Sequence, residues 1–138
     1  MEVDFAFLAD KAEAVNGKLY LVGGAIDTVW SPGVPVIYPQ FSFVMRLLII
    51  PAELGREHRL EINLTDEDGK RLATIGGPLK TEPSANLPKG WKQGFLAVFN
   101  FVNLKFERFG NYQFEVVVNN SSLKTVPLRI AQQVAMGG

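Results

Sequence analysis

The stretch Phe109-Gly110-Asn111-Tyr112-Gln113-Phe114-Glu115-Val116-Val117-Val118 decides the fold class. Tyr112, Phe114, Val116 and Val118 fall on one side of an extended backbone and Gln113 and Glu115 on the other, the period-two pattern of a half-buried strand. Turn residues bound it: Glu107-Arg108-Phe109-Gly110 leads in and Asn119-Asn120-Ser121-Ser122 leads out. Beyond the second turn, Val126, Leu128 and Ile130 predict a last strand. Pro127 inside it cannot donate to a ladder and argues for an edge.

The same alternation recurs upstream. Val3, Phe5 and Phe7 alternate with Glu2, Asp4 and Ala6, and Asn16-Gly17 then offers the positive φ angles of a two-residue hairpin turn before Leu19-Tyr20-Leu21-Val22. Gly23-Gly24 interrupts this second strand, which resumes through Ile26, Thr28 and Trp30. The three prolines of Ser31 to Pro39 predict a connection that crosses between sheets. Gln40 to Ile50 is apolar on both faces apart from Gln40, Ser42 and Arg46, as in a central strand covered on both sides. After Pro51 and a short link, Leu60, Ile62 and Leu64 oppose Arg59, Glu61, Asn63 and Thr65, giving one wet face. The turn Asp66-Glu67-Asp68-Gly69 returns the chain through Arg71 to Gly77.

Pro78 to Gly94 has no sustained period and is the longest irregular segment; loops of that length in compact domains are usually functional or disordered. From Phe95 the apolar set is Phe95, Ala97, Phe99 and Phe101, then Val102, Leu104 and Phe106. That change of phase predicts a bulge near Phe101 and Val102. Eight short strands with turn signals between them make an all-β, antiparallel two-sheet sandwich of immunoglobulin-like or Greek-key topology, with a barrel as the alternative. Residues 1–131 form its single domain and 132–138 a fraying tail. The order Phe106, Gly110, Tyr112, Phe114 resembles the tyrosine corner of immunoglobulin-like folds, whose phenol bonds back to nearby backbone.

Composition narrows the function. Lys+Arg and Asp+Glu are equal at 14 each, so no net field draws a polyanion and nucleic acid is not expected as a partner. Cysteine is absent, which removes thiolate chemistry, disulfides and zinc-thiolate sites. Acids rather than Lys or Arg follow Met1, and no apolar run reaches the length of a membrane span, so the expectation is a cytoplasmic protein without a membrane partner.

The candidate chemistry is thin. His58, the only histidine, falls on the apolar side of its strand, and no serine sits in a G-x-S-x-G elbow; we read it as a structural imidazole rather than a base. Asp66, Glu67 and Asp68 suggest calcium, but Lys70 and Arg71 follow where further acidic ligands belong, so the turn reads as a hairpin tip. Gly23-Gly24 and Gly76-Gly77 match no phosphate loop. No metal and no cofactor is expected. The aromatic residues flanked by cations or prolines are the binding candidates: Trp91 between Lys89 and Lys92, with Trp30 and Tyr38 bracketing the proline-rich connection. Two functions compete. One is a non-catalytic module that binds a protein partner or a second copy of itself; the other is a small-molecule or carbohydrate module gripping a ring with those aromatics. A hydrolase built on His58 ranks behind both.

Asp4-Phe5-Ala6-Phe7-Leu8-Ala9-Asp10, Asn16-Gly17-Lys18-Leu19-Tyr20, Gly23-Gly24, His58 to Ile62, Asp66 to Gly69, Gly110 to Phe114 and Val126 to Arg129 together resemble a family of small uncharacterised bacterial proteins. The resemblance implies a cytoplasmic β-sandwich and carries over no catalytic residue.

Overall fold

A computed structural model describes residues 1–134. Nine strands form two sheets: β1 (Glu2–Val15), β2 (Lys18–Ile26), β3 (Thr28–Ser31), β4 (Val36–Ile49), β5 (His58–Thr65), β6 (Arg71–Leu79), β7 (Gln93–Phe106), β8 (Gly110–Val118) and β9 (Ser121–Gln132). One sheet has the order β2-β1-β4-β7 and the other β3-β9-β8-β5-β6. The expected all-β, two-sheet arrangement is present, with nine strands in place of eight and two corrections. The interrupted second strand is two strands in different sheets, since the chain passes from β2 to β3 at Asp27. And β3 runs parallel to β9, pairing Thr28 with Arg129 and Trp30 with Ala131, so the fold is not wholly antiparallel.

The alternating positions of the two sheets meet in one core. Phe41, Phe43, Met45, Leu47 and Ile49 of β4 face Ile62 and Leu64 of β5 and Phe114, Val116, Leu128 and Ile130 of β8 and β9. Phe114 ties the layers together, with its ring 5.5 Å from Phe43 and 5.2 Å edge-on from Phe101. The second face of β5 is polar as expected but only partly wet: Arg59 is exposed, Glu61 and Thr65 are half-buried, and Asn63 is buried, accepting a hydrogen bond from the Thr74 hydroxyl at 2.9 Å.

Strand β4 is buried on both sides, as its sequence predicts, and its second cover is the β1–β2 hairpin. Strand β1 pairs with β4 only as far as Ala9 and then runs on with β2 alone. There it leaves the sheet plane and folds over the outer face of β4: the Ala12 amide donates to Ser42 Oγ at 3.1 Å, and the tip at Gly17 comes beside Arg46, Gly94 and Leu96. Ala9, Ala12 and Val44 are buried beneath it, with Phe5, Phe7, Leu19 and Val98 around them. Asn16 and Gly17 take φ of 52° and 72°, the left-handed pair the turn sequence demands.

The phase change on β7 is real, but no residue is inserted. Strands β4 and β7 keep one register from Val36–Phe106 to Ile49–Gln93. Asn103 adopts φ of 51° opposite Pro39, and both strands exchange faces at this point, so that Leu104 and Phe106 turn inward beside Tyr38 and Val36. Pro127 lies where β9 is an edge, since β3 pairs only from Arg129 onward. The Arg129 amide points to β3, donating to Asp27 O at 2.8 Å, so the ring nitrogen of Pro127 two residues earlier points to the same open side. The irregular segment runs from Lys80 to Lys92 and is pinned by Gln93, whose side chain accepts from the Ser84 amide and donates to Glu82 O. The tail assigned to 132–138 begins at the end of β9, and its last four residues lie outside the described residues.

Candidate functional site

The five aromatic and cationic candidates do not converge. Trp91, Lys89 and Lys92 precede Gln93, which pairs with Ile49, whereas Tyr38 pairs with Leu104. Eleven residues of strand at about 3.3 Å each set these groups roughly 35 Å apart. Trp30, on β3 opposite Ala131, belongs with Tyr38 at the end marked by Gly110. Tyr38 is half-buried, stacked on Phe41 at 4.1 Å, and its hydroxyl reaches toward Asp10; burial and then that carboxylate push its phenol upward. Trp30 and Trp91 are exposed, and Lys92 is engaged with Glu2. No single ring-gripping pocket contains both tryptophans.

His58 sits at the Trp91 end with both ring nitrogens engaged. Nε2–H donates to Glu53 O at 2.8 Å and Nδ1 lies 2.9 Å from Asn119 Nδ2, so the ring is held between two loops. The Glu53 carboxylate beside it is pushed up by burial but brought net below its usual range by hydrogen bonds from the N-terminal ammonium at 2.7 Å and the Ile50 amide. The acids nearest this imidazole therefore serve loop geometry.

The acidic turn at the opposite end is likewise satisfied from within. Asp66 Oδ1 accepts the amides of Asp68 and Lys70, each at 2.9 Å, and Arg108 bridges Asp66 and Asp68 at 3.3 and 3.0 Å. The Lys70 amide foremost, then the Asp68 amide and the Arg108 charge, outweigh burial and hold the Asp66 carboxyl below its ordinary value. Glu67 accepts the Asn111 amide at 2.6 Å, in space that a side chain at Gly110 (φ 139°) would fill. Tyr112 completes this corner by donating its hydroxyl to Arg108 O at 2.7 Å, the expected tyrosine corner. Among the described residues no three His, Asp or Glu side chains converge as a metal site.

Between the free edges of β6 and β7 lies a cleft of about 740 Å³. Leu72, Ala73, Val102 and Leu104 line its apolar part and Lys70, Arg71, Lys105 and Arg108 its cationic part. Arg108 is taken up by Asp66 and Asp68, and Lys105 lies 3.7 Å from Glu107, while Lys70 and Arg71 have no carboxylate partner among the described residues.

The sheet edges differ in how they are guarded. β3 is four residues long; β2 loses regularity after Val22, at Gly23 (φ 64°) and Ala25 (φ 62°); β6 carries Gly76-Gly77-Pro78 and a register shift; β9 carries Pro127. Short length, bulges, proline and charge are the devices that stop strangers pairing with an edge. Strand β7 has none of them from Gly94 to Val102: Gly-Phe-Leu-Ala-Val-Phe-Asn-Phe-Val is uncharged, free of proline and in unbroken register with β4, and among the described residues no strand lies on its other side. The strand itself is legible in the sequence, but its place at an edge is not. The long run without a charge was the available signal.

Residues 4–131 match the family described as "Family of unknown function (DUF6941)". The chain belongs to that family. The match reaches from within β1 to Ala131 near the end of β9, and so covers residues of all nine strands. No curated protein matches the chain. No helix among the described residues is long and apolar enough to cross a membrane.

Proposed function

We propose that the protein is a non-catalytic interaction module that accepts an extended segment of a protein partner as an added strand on β7. The observation that carries the reading is the unguarded edge Gly94 to Val102, whose backbone donors and acceptors on the side away from β4 have no strand among the described residues to pair with. Strand addition draws affinity from main-chain hydrogen bonds and specificity from alternate side chains. Here those alternate sets are Phe95, Ala97, Phe99 and Phe101 on the core side and Leu96, Val98, Asn100 and Val102 on the other. The engagement of both nitrogens of His58 by Glu53 and Asn119 supports a role without catalysis.

The test is selection from a displayed library of unbiased nonapeptides at high protein dilution, followed by amide hydrogen exchange. Selected peptides are expected to slow exchange in residues 93–102 and to be uncharged at their centre. Peptides that protect other strands, or a β7 already protected in the dilute free protein, overturn the reading.

A second reading rests on the cleft, whose volume lies in the range of small-ligand sites and whose Lys70 and Arg71 are free to meet an anion. It places a small carboxylate or phosphate ester with an apolar body against Leu72 and Val102. Titration with a panel of such anions in the wild type and in Lys70→Ala/Arg71→Ala checks it; equal, weak responses in both proteins remove it.

A further inference from the structure

We infer that the strand β7 accepts is β7 of a second copy of this chain, paired antiparallel about a two-fold axis through Val98. The inference rests on the strand-accepting reading above and adds the occupant and the register.

A two-fold axis makes one patch complementary to itself, which like charges at the seam forbid and an uncharged seam permits. Centring the axis on Val98 lays the uncharged run Gly94 to Val102 wholly upon its own copy. Val98 then meets Val98, Leu96 meets Asn100, Phe95 meets Phe101 and Ala97 meets Phe99, so that a small side chain stands against a large one and an aromatic against an aromatic on the core side. Moving the axis by one residue in either direction brings the ends of the run against Lys92 and Gln93 or against Asn103 and Leu104, where the left-handed backbone of Asn103 breaks the pairing. Past the run the ladder ends, at the left-handed Asn103 on one side and at the irregular segment that carries Lys89 and Trp91 on the other. Trp91 is exposed in the single chain, and the Lys105 stem borders the cleft between β6 and β7. The two four-stranded sheets become one eight-stranded sheet with the hairpin tips at Gly17 flanking the seam. About nine interstrand hydrogen bonds, one for each residue of the run, accompany this pairing.

The other free edges do not offer this. A two-fold on β2 spans five regular residues before Gly23 and places Lys18 at its margin, and β6 is interrupted by Pro78.

Because the chain has no cysteine, single-cysteine variants report this geometry without competing thiols. Sedimentation over a concentration series is expected to show a monomer–dimer equilibrium for the wild type. Val98→Cys is expected to form a disulfide dimer under mild oxidation, since directly opposed strand residues meet the distance a disulfide needs. Val102→Cys alone is expected to stay unlinked, because its copies stand eight residues apart along the strand. Should Val98→Cys disturb the packing on Val44, as judged by circular dichroism, mixed Leu96→Cys and Asn100→Cys chains are expected to link to each other. A wild type that remains monomeric with position 98 unlinked overturns the second copy and leaves strand addition to be judged by the peptide selection. A dimer that links through Tyr20→Cys on β2, or through Val102→Cys to itself, overturns the axis at Val98.

Discussion

The Tyr112 phenol donates to Arg108 O while its ring lies edge-on to Phe106 at 5.0 Å, so its hydrogen bond and its packing can be separated by one substitution. Tyr112→Phe keeps the ring and leaves the carbonyl without its donor, a loss of about 1 kcal/mol. For a chain of this size the melting temperature is expected to fall by roughly 4 °C, measured by calorimetry. A Tyr112→Phe variant as stable as the wild type removes the corner as a fastening. Asp66 is the other residue whose environment sets a measurable property. Backbone amides from Lys70 and Asp68, with Arg108, hold its folded carboxyl below the unfolded value. A depressed folded value means that the contribution to stability is present above the unfolded pKa, about 3.9 for Asp, and is lost as pH falls through the folded value. Stability is therefore expected to decline below about pH 4, and Asp66→Asn to show a shallower decline in denaturant titrations across that range. These residues were readable in advance to different degrees. The aromatic after a glycine turn announced the corner, and Lys70 and Arg71 beside the three acids announced a hairpin tip, but the sequence does not show that Arg108 arrives from about forty residues away to bridge two of them.

At the scale of elements, turn chemistry was the most legible signal and sheet membership the least. Asn16-Gly17 specifies its hairpin through local dihedral angles, and Asn119 and Asn120, with φ of 51° and 67°, do the same between β8 and β9. Gly23-Gly24 looked like punctuation within one strand, yet three residues later the chain changes sheets, a choice made by partners more than a hundred residues distant. The parallel sense of β3 with β9 has no local mark either. The two-sided apolar pattern of β4 correctly implied a cover but could not name it, because the hairpin reaches Ser42 only after folding. That cover is testable at one atom. Ser42 is fully buried, accepts from the Ala12 amide and donates to Asn100 Oδ1 at 2.8 Å. Ser42→Ala leaves a buried amide without a partner, which costs about 2 kcal/mol. Amide exchange is expected to quicken across residues 9–26 more than in β5 or β8. Uniform quickening across both sheets argues that the hairpin is not a separable flap.

For the molecule as a whole, the question is whether two sheets, between which five of the eight strand connections cross, behave as one unit. One core cluster takes side chains from both sheets, and Phe114 of the five-stranded sheet lies between Phe43 and Phe101 of the four-stranded sheet, fully buried. Neither sheet can lose its partner without exposing these rings, so separation of the layers and unfolding of each layer are the same event. The two tryptophans stand at opposite ends, Trp30 on β3 and Trp91 ahead of β7, and each can be isolated by replacing the other with Phe. Urea transitions followed by fluorescence in Trp30→Phe and in Trp91→Phe are expected to coincide with that of far-UV circular dichroism, the sign of a two-state domain. Phe114→Ala removes a ring whose cavity costs about 4 kcal/mol, a large part of the roughly 5–15 kcal/mol typical of a domain, and is expected to move all three transitions together. Phe114→Leu, which retains much of the volume, is expected to move them by less than half as much while keeping them coincident. If either substitution shifts the Trp30 signal while leaving that of Trp91 in place, the sheets hold together independently, and the layer containing the free β7 edge must be treated as a folding unit of its own.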